Sequence, residues 1–316
     1  MKLFNSLRNY LRKLFAAPPL PAPIPPMREH RVQCVSYAGL HNIAYTEWGD
    51  PGNPRVLLCL HGLTRNGRDF DFLAQSLSDE YRVVCPDIVG RGKSDWLQNK
   101  SLYTLTQYAT DMVTLIARLN TDSVDVVGTS LGGVVGMSLA SMKNSPVRRL
   151  VLNDSGPQIA ASALRRIAGH LGGSKCFKTV KEAEAFVREV NKPFGNLTDA
   201  QWWHLTEHSL RKTETGDYEF AYDPGLARAF LFVNFIPDVP MWLLYDPIQC
   251  PTLVIRGAES DLLTRATVDA MQARGPRAEA VEIPGVGHAP MLMDDEQVDI
   301  VRNFLLSRRK SAVEAK

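Results

Sequence analysis

The stretch of sequence that decides the fold runs from residue 124 to residue 133. It reads Val124-Asp-Val-Val-Gly128-Thr129-Ser130-Leu131-Gly132-Gly133. The first half predicts a buried β-strand and the residues from Leu131 to Lys143 predict a helix, so the G-x-S-x-G pattern falls on a strand-to-helix turn. Such a turn is sharp, and glycines on both sides of the serine give the clearance it needs. We therefore expect Ser130 to be a nucleophile presented at the C-terminal edge of a sheet.

Short β-rich segments alternate with helical patterns on both sides of this turn. Val32–Tyr37 and Asn42–Trp48 predict an opening hairpin. Arg55–Leu60 is an unbroken apolar run, which is expected of a strand covered on both faces. The alternation predicts an α/β fold with a mostly parallel central sheet flanked by helices.

The alternation stops after a predicted strand at Arg149–Leu152 and resumes at Thr252–Arg256. The residues between them, 157–246, contain half of the phenylalanine, tryptophan and tyrosine residues of the chain but no segment that predicts a strand. This pattern indicates an inserted helical lid with an apolar surface for substrate. The predicted helices of the insertion are Lys181–Asn191, Ala200–Leu210 and Leu226–Val233.

A serine hydroxyl is a weak nucleophile and needs a general base. Seven histidines are candidates, and His288 is favoured by its position in Pro284-Gly-Val-Gly-His288-Ala-Pro. This glycine-rich loop follows the last predicted strand, Glu279–Ile283, where an imidazole can reach Ser130. We predict that His288 is the base.

Two aspartates at predicted strand ends are candidates for the carboxylate that orients this base. Asp261 follows the strand Thr252–Arg256, and Asp154 follows the strand Arg149–Leu152. We favour Asp261 and expect Asp154 to hold the turn into the insertion, while Glu259 is a weaker third candidate.

An oxyanion hole needs two backbone N–H groups beside the nucleophile. The amide of Leu131 lies at the start of the predicted helix, where the helix dipole favours an anion. The second donor is predicted to be the amide of Leu63, because Leu60-His61-Gly62-Leu63-Thr64 ends a strand in the right place. His61 is expected to be a structural hydrogen-bonding residue.

Residues 1–28 differ in composition from the rest of the chain, with five basic side chains and no acidic one. Met1 to Phe15 has the leucine spacing of a basic amphipathic helix, and six of residues 18–26 are prolines, which predicts a stiff linker. We expect residues 1–15 to make a peripheral contact with a membrane or lipid particle. A helix packed on the domain, a disordered start and a transit peptide are the alternatives.

The rest of the chain has a slight excess of acidic over basic side chains, which gives no electrostatic reason to expect nucleic acid as a partner.

Five scattered cysteines without a C-x-x-C pair suggest neither disulfides nor a zinc site, so a reducing, cytoplasmic location is expected. We expect a core formed by residues 29–156 and 247–308, followed by a tail at 309–316.

With these residues in place, the chain resembles the α/β-hydrolase superfamily over about residues 30–308. The branch it is similar to is the lidded one that contains carboxylesterases, lipases, polyester-oligomer hydrolases and the C–C hydrolases of meta-cleavage products. The resemblance rests on HG at 61–62, D-x-x-G-R-G-x-S at 87–94, G-T-S-L-G-G at 128–133, G-x-x-S-D at 257–261 and G-x-G-H at 285–288.

The resemblance implies that Ser130 attacks an acyl carbonyl and that water then hydrolyses the acyl-enzyme, without a metal or an organic cofactor. The expected substrate is a small carboxylic ester with an apolar acyl or alcohol part. Cleavage of a C–C bond, with Arg65 or an arginine of the lid binding the acidic substrate, is the first alternative. Acyl transfer to another acceptor and a non-catalytic binding protein are the others.

Overall fold

The computed structural model describes residues 27–171, 175–235 and 237–307. Of the predicted segment 1–28, all but Met27 and Arg28 lies outside these ranges, as does the tail predicted at 309–316. Within the described ranges, no helix is both long enough and apolar enough to cross a membrane.

The first half of the chain alternates strands and helices as predicted. Its elements are β1 (Arg28–Ser36), β2 (Gly39–Trp48), β3 (Val56–Leu60), α1 (Asp71–Leu77), β4 (Arg82–Pro86), α2 (Leu105–Arg118), β5 (Val124–Thr129), α3 (Leu131–Ala140) and β6 (Val147–Asn153).

The insertion, residues 157–246, follows β6. It contains β7 (Gln158–Ile159), α4 (Ala161–His170), β8 (Cys176–Phe177), α5 (Val180–Val190), α6 (Asp199–Ser209), β9 (Leu210–Lys212), β10 (Tyr218–Phe220), β11 (Val239–Pro240) and α7 (Trp242–Tyr245). The chain then returns to the core as β12 (Thr252–Gly257), α8 (Arg265–Ala273), β13 (Glu279–Ile283) and α9 (Asp295–Leu306). Short 3₁₀ turns occupy Gly67–Phe70, Lys100–Leu102, Lys192–Phe194, Pro224–Phe230 and Val233–Phe235.

Local sequence explains where several of these helices begin. A side-chain oxygen of the residue before the first turn accepts a backbone N–H that the helix itself leaves unpaired. In α6 the cap is reciprocal, because Gln201 also accepts from the backbone N–H of Thr198. The capping residues of α2, α5, α6, α8 and α9 are Thr104, Thr179, Thr198, Thr264 and Asp294.

The central sheet has the strand order β1-β2-β4-β3-β5-β6-β12-β13. The β1–β2 and β2–β4 pairs are antiparallel and all the others are parallel. Alternate residues of β3 enter different cores: Leu58 packs with α2 and α3, and Leu57 packs with α1 and α9. Both faces of the sheet are therefore covered, and the predicted α/β fold with a mostly parallel sheet is confirmed.

The expectation that the insertion contains no strand is wrong. The five strands β7 to β11 form one three-stranded sheet, in the order β8-β10-β9, and one two-stranded pair, β11–β7. Each strand has only two or three residues. An alternation of apolar and polar residues cannot be detected over so short a length, which is why the sequence pattern did not reveal them.

Hydrogen bonds join the insertion to loops at the carboxyl ends of β3 and β4. Gly92 N–H donates to the carbonyl of Ala221 at 2.6 Å, and Asp223 N–H donates to the carbonyl of Gly90 at 2.8 Å. The Asn66 side-chain amide donates to the carbonyl of His208 at 2.7 Å. These bonds place the insertion over the edge of the sheet where Ser130 lies.

Candidate active site

The backbone presents Ser130 at a strained turn between β5 and α3. Its φ is 52° and its ψ is −116°, a conformation that side-chain-bearing residues rarely adopt. A Cβ on Gly132 would lie 1.9 Å from the carbonyl oxygen of Leu60, and a Cβ on Gly128 would lie 2.4 Å from that of Gly132. Both glycines are therefore required for the close approach that the sequence pattern predicts.

Three side chains form a continuous hydrogen-bonded chain at this turn. The Nε2 atom of His288 lies 2.9 Å from the Oγ atom of Ser130. The Nδ1 atom of the same ring lies 2.6 Å from Oδ2 of Asp154. If Nδ1 carries the proton, it donates to Asp154 and leaves Nε2 free to accept the proton of the serine hydroxyl.

The predicted pairing of Asp261 with His288 is wrong, because the partner of the imidazole is Asp154. The Asp261 side chain is 53% exposed and accepts two hydrogen bonds from Arg166, at 2.6 and 2.7 Å. Partial burial acts to raise the pKa of Asp261, but the bonds and charge of Arg166 prevail and lower it. Asp154 is fully buried at the end of β6, where it faces the imidazole.

Ser260 supports Asp154 and was not singled out by the sequence. Its hydroxyl donates to Oδ2 of Asp154 at 2.6 Å, while the N–H of Gly257 donates to Oδ1 at 3.0 Å. The Ser260 oxygen in turn accepts the N–H groups of Leu262 and Leu263, at 3.2 and 3.1 Å. The G-x-x-S-D motif predicts a role for its aspartate, but its serine is the residue that donates to Asp154, the partner of His288.

The loop after β3 lies beside Ser130. A Cβ on Gly62 would lie 3.8 Å from Cβ of Ser130, and Leu63 borders the same cavity as Ser130. The N–H of Leu131 belongs to the first residue of α3, where a helix has no internal acceptor. The two amides are thus available for the predicted oxyanion hole, and their role stays a prediction.

Arg91 fixes this loop and was also missed. The side chain is fully buried, donates from Nε to the carbonyl of Leu63 at 2.8 Å and lies 4.9 Å from the centre of the Tyr108 ring. Arg91 belongs to the D-x-x-G-R-G-x-S motif, which lies on a loop after β4. The rings of Tyr103 and of Tyr108 on α2 lie close to the buried guanidinium.

His61 has the structural role that the sequence predicts. The N–H of Ile88 donates to Nε2 at 2.9 Å, so Nδ1 carries the proton and donates to the carbonyl of Gly62 at 2.7 Å. Complete burial lowers the pKa of His61 to about 3, although the bond to Gly62 opposes the shift. The ring is therefore neutral and joins the loops that follow β3 and β4.

A cavity of about 170 Å³ opens onto Ser130 and His288. The insertion supplies most of its apolar lining, as expected from the aromatic content of that segment. The lining side chains that carry a charge or an imidazole are Arg65, Asp69, Arg166 and His288. The apolar and aromatic lining residues include Ile167, Leu171, Phe186, Val187, Val190, Phe194, Phe220, Tyr222 and Met291.

Two groups of side chains among the described residues have the spacing of metal ligands, and neither borders this cavity. Cys34, His41 and Asp111 form a buried group in which His41 and Asp111 are hydrogen-bonded at 3.1 Å. The second group is Asp71, His204 and His208. Neither group shares a residue with the chain from Ser130 to Asp154.

The fold, together with a serine at the turn between a strand and a helix, is typical of one class of protein. A family model identifies that class. The model described as the alpha/beta hydrolase family matches residues 57–300. The chain belongs to this family, which confirms the resemblance. The prediction that the chain is an enzyme and a hydrolase is confirmed by this match together with the relatives below.

Among its relatives is a 3-hydroxybutyrate-oligomer hydrolase of Cupriavidus necator. The two are 49% identical over 280 residues, which cover 86% of this chain and 96% of the relative. A 2-(acetamidomethylene)succinate hydrolase of Mesorhizobium japonicum is 27% identical, covering 76% of this chain and 83% of its own.

A solved structure of a putative hydrolase from Rickettsia typhi superimposes with a TM-score of 0.82 at 32% identity. The superposition covers 89% of this chain and 98% of that one. An alpha/beta hydrolase from Novosphingobium aromaticivorans superimposes with a TM-score of 0.78 at 34% identity, covering 88% and 98%.

Proposed function

We propose that this protein hydrolyses carboxylic esters through an acyl-enzyme on Ser130, and that short oligomers of 3-hydroxybutyrate are its substrates. The observation that carries the reaction type is the hydrogen-bonded chain from Ser130 Oγ through His288 to Asp154. The support for the substrate is the 49% identity, over most of both chains, to a 3-hydroxybutyrate-oligomer hydrolase.

In the proposed reaction His288 takes the proton of Ser130 as Oγ attacks the ester carbonyl. The amides of Leu63 and Leu131 stabilise the negative charge on the carbonyl oxygen. His288 then returns the proton to the departing alcohol, which leaves an acyl group on the serine. Water attacks this acyl group by the same steps and releases the acid, so one ester and one water give one acid and one alcohol.

The insertion acts in this proposal as a lid that provides the apolar part of the binding site. The methyl groups and methylenes of a hydroxybutyrate unit fit a cavity bordered by Phe186, Val190 and Phe220.

Arg65 is one of the arginines that could bind the acidic substrate of a C–C hydrolase, and its hydrogen bonds are made within the protein. Its Nε and Nη2 atoms donate to Asp69, at 2.8 and 2.6 Å, and Nη1 donates to Ser209 at 2.8 Å. All three nitrogens of Arg65 are therefore occupied within the protein. The C–C alternative is therefore left with an arginine of the insertion for its substrate carboxylate.

Three cysteines buried in the apolar core support the proposed reducing compartment, the cytoplasm. Cys34, Cys59 and Cys85 are buried in the core, where a thiol acts as a small apolar group. Burial raises the pKa of Cys34 to about 12, so that thiol stays protonated and unreactive.

The decisive experiment compares the wild-type protein with S130A and S138A. We expect the wild type and S138A to convert the 3-hydroxybutyrate dimer to monomer, measured by liquid chromatography, and to be labelled by a fluorophosphonate probe. Because Ser138 is on the same helix but outside the hydrogen-bonded chain, it is the matched control. S130A should lose activity by about 10⁴-fold or more and should not be labelled.

Labelling without turnover of the dimer or of p-nitrophenyl butyrate would reject ester hydrolysis and favour C–C cleavage or acyl transfer. Absence of labelling in the folded wild-type protein would reject a serine nucleophile altogether.

A further inference from the structure

Two arginines border the cavity above Ser130, and they differ in how many of their N–H groups are used. Arg65 is almost buried, and each of its three nitrogens donates to Asp69 or Ser209. Arg166, on α4 of the insertion, is 40% exposed and donates only from Nε and Nη2, both to Asp261.

A guanidinium group has two edges that can hold a carboxylate in a fork of two hydrogen bonds. Asp261 occupies the Nε–Nη2 edge of Arg166. Within the described part of the chain, Nη1 of Arg166 makes no hydrogen bond, so the Nη1–Nη2 edge is unoccupied. The pair with Asp261 fixes the plane of the guanidinium and leaves this edge available.

Asp261 connects Arg166 to the side chains around Ser130. Its partner Asp261 directly follows Ser260, whose hydroxyl donates to Asp154 at 2.6 Å, and Asp154 in turn holds His288 at 2.6 Å. The same short segment therefore connects the arginine to the hydrogen-bonded chain of the site.

We infer that Arg166 binds the free carboxylate of the leaving hydroxyacid, so that the site selects anionic hydroxyacyl esters over neutral ones. The inference rests on the proposed function and names the part of its substrate that is recognised. In a 3-hydroxybutyrate dimer the alcohol that departs as the acyl-enzyme forms carries a carboxylate two carbons from its hydroxyl carbon. A cation at the edge of an apolar cavity matches this charge.

Asp261 is a positioning residue in this arrangement. It neutralises part of the charge of Arg166 in the absence of substrate and holds the guanidinium at the cavity. Since its carboxylate and that of the substrate lie on different edges, substrate binding does not require the Arg166–Asp261 pair to break.

The test uses two dimers of 3-hydroxybutyrate that differ only at the terminal carboxyl, which is free in one and capped as its amide in the other. R166Q should lower kcat/KM for cleavage of the free-acid dimer by about 10- to 100-fold, chiefly by raising KM. The change for the amide-capped dimer should stay within about twofold. R166K, which keeps the charge but not the fork, should fall between R166Q and the wild type on the free acid.

Arg165 provides the matched control, because it precedes Arg166 on the same helix but is exposed and does not border the cavity. R165Q should behave as the wild type with both dimers. An equal loss on both dimers with R166Q would show a structural role for Arg166, and no loss on either would show that it does not contact substrate. Both results would overturn the inference.

A binding measurement separates this inference from the proposed function. Calorimetric titration of the free-acid dimer into S130A, S130A/R166Q and S130A/R165Q does not depend on catalysis. The inference predicts that only R166Q weakens binding, by at least about tenfold. If the wild type cleaves neither dimer, the proposed function fails, and this titration still confirms or rejects the carboxylate site.

Discussion

Hydrogen bonds hold the carboxylate of Asp154 in one orientation in the protein interior. Asp154 is fully buried, and its oxygens accept hydrogen bonds from Gly257 N–H, from Ser260 Oγ and from the ring of His288. Each of these bonds fixes the direction of the carboxylate. The backbone at Asp154 has a φ of 45°, a left-handed conformation that turns the chain away from β6.

The two candidate carboxylates can be distinguished by activity. We expect D154N to lower kcat on p-nitrophenyl butyrate by about 10³- to 10⁴-fold, because an amide cannot hold the imidazole in the productive tautomer. D261N should lower it by no more than about threefold, since Asp261 contacts Arg166 rather than His288. The measurement is steady-state hydrolysis, with thermal denaturation as the check that both variants fold.

A larger loss in D261N than in D154N would contradict the hydrogen bonding described above. It would mean that the loop after β12 rearranges to bring Asp261 to the base during the reaction.

The sequence could not distinguish these residues. Both aspartates follow strands that are neighbours in the sheet, and both lie near the same edge. The difference comes from Arg166, which lies 95 positions earlier in the chain and donates a hydrogen bond to Asp261. Ser130 and His288 were predictable because strand-turn-helix context and loop position are local properties, whereas the identity of the acid depends on tertiary contacts.

Close packing of backbone on backbone shapes the turn between β5 and α3. Gly128, Ser130 and Gly132 bring the start of α3 against the end of β3, and this contact holds the loop with Leu63 near the Ser130 side chain. The geometry of the site therefore depends on the boundary between β5 and α3 as much as on the side chains of Ser130, His288 and Asp154.

G132A tests this dependence. The added Cβ would lie 1.9 Å from the Leu60 carbonyl oxygen, which is part of the backbone and cannot move without displacing β3. We expect fluorophosphonate labelling of Ser130 to slow by at least about 100-fold and the free energy of unfolding to fall by about 3 kcal/mol. Labelling rates and urea denaturation measure the two effects.

G169A is the corresponding control, at a position where an added Cβ has space. Apart from the chain neighbours and the backbone of its own helix, no atom of the described residues lies within 4 Å of a Cβ at this position in α4. G169A should therefore leave labelling unchanged and raise the unfolding free energy by about 0.5–1 kcal/mol. If G132A were labelled at the wild-type rate, the turn would be able to relax around the added Cβ, and the site would not depend on Gly132.

Elements of the core were predictable with small errors at their ends, because each has several residues of regular apolar pattern. The helix predicted at Leu226–Val233 is instead two 3₁₀ turns, Pro224–Phe230 and Val233–Phe235. α4 was not predicted at all. These elements depend on packing within the insertion rather than on their own periodicity.

The molecule as a whole is held together in part by neutral polar groups in its interior, and His61 is one of them. It joins the loops that follow two neighbouring strands, β3 and β4, through hydrogen bonds to Gly62 and Ile88. In the unfolded chain the ring titrates near its ordinary pKa of about 6.5. Folding therefore requires loss of a proton at any pH between that value and about 3.

This difference predicts acid sensitivity of the whole fold. Because the folded-state pKa of His61 is lowered, its stabilising effect is complete above about pH 6.5 and is lost as the pH falls toward 3. Between pH 7 and pH 5 the loss amounts to about 2 kcal/mol. Urea denaturation at both pH values should show that H61Q loses about 2 kcal/mol less than the wild type over this interval.

H61Q should also be less stable than the wild type at pH 7 by about 1–3 kcal/mol, since it leaves the Ile88 N–H poorly paired. Burial raises the pKa of Asp87 to about 6, although bonds from Lys93 and Gly67 oppose the shift, so protonation of Asp87 acts in the opposite direction. That contribution is common to both proteins and cancels in the comparison. Parallel losses in the two proteins would refute the assignment.

The short β7–β11 pair, in which Ile159 faces Val239, has a consequence for how such a molecule can change. It brings the two ends of the insertion together beside β6 and β12, which are themselves neighbours in the sheet. Since the loop is closed at its base, its length adds little entropy cost to folding of the core. The insertion is therefore an exchangeable unit. A segment from a relative with the same pair of end strands could replace it and change the substrate specificity of the enzyme, while the residues at the edge of the sheet stay the same.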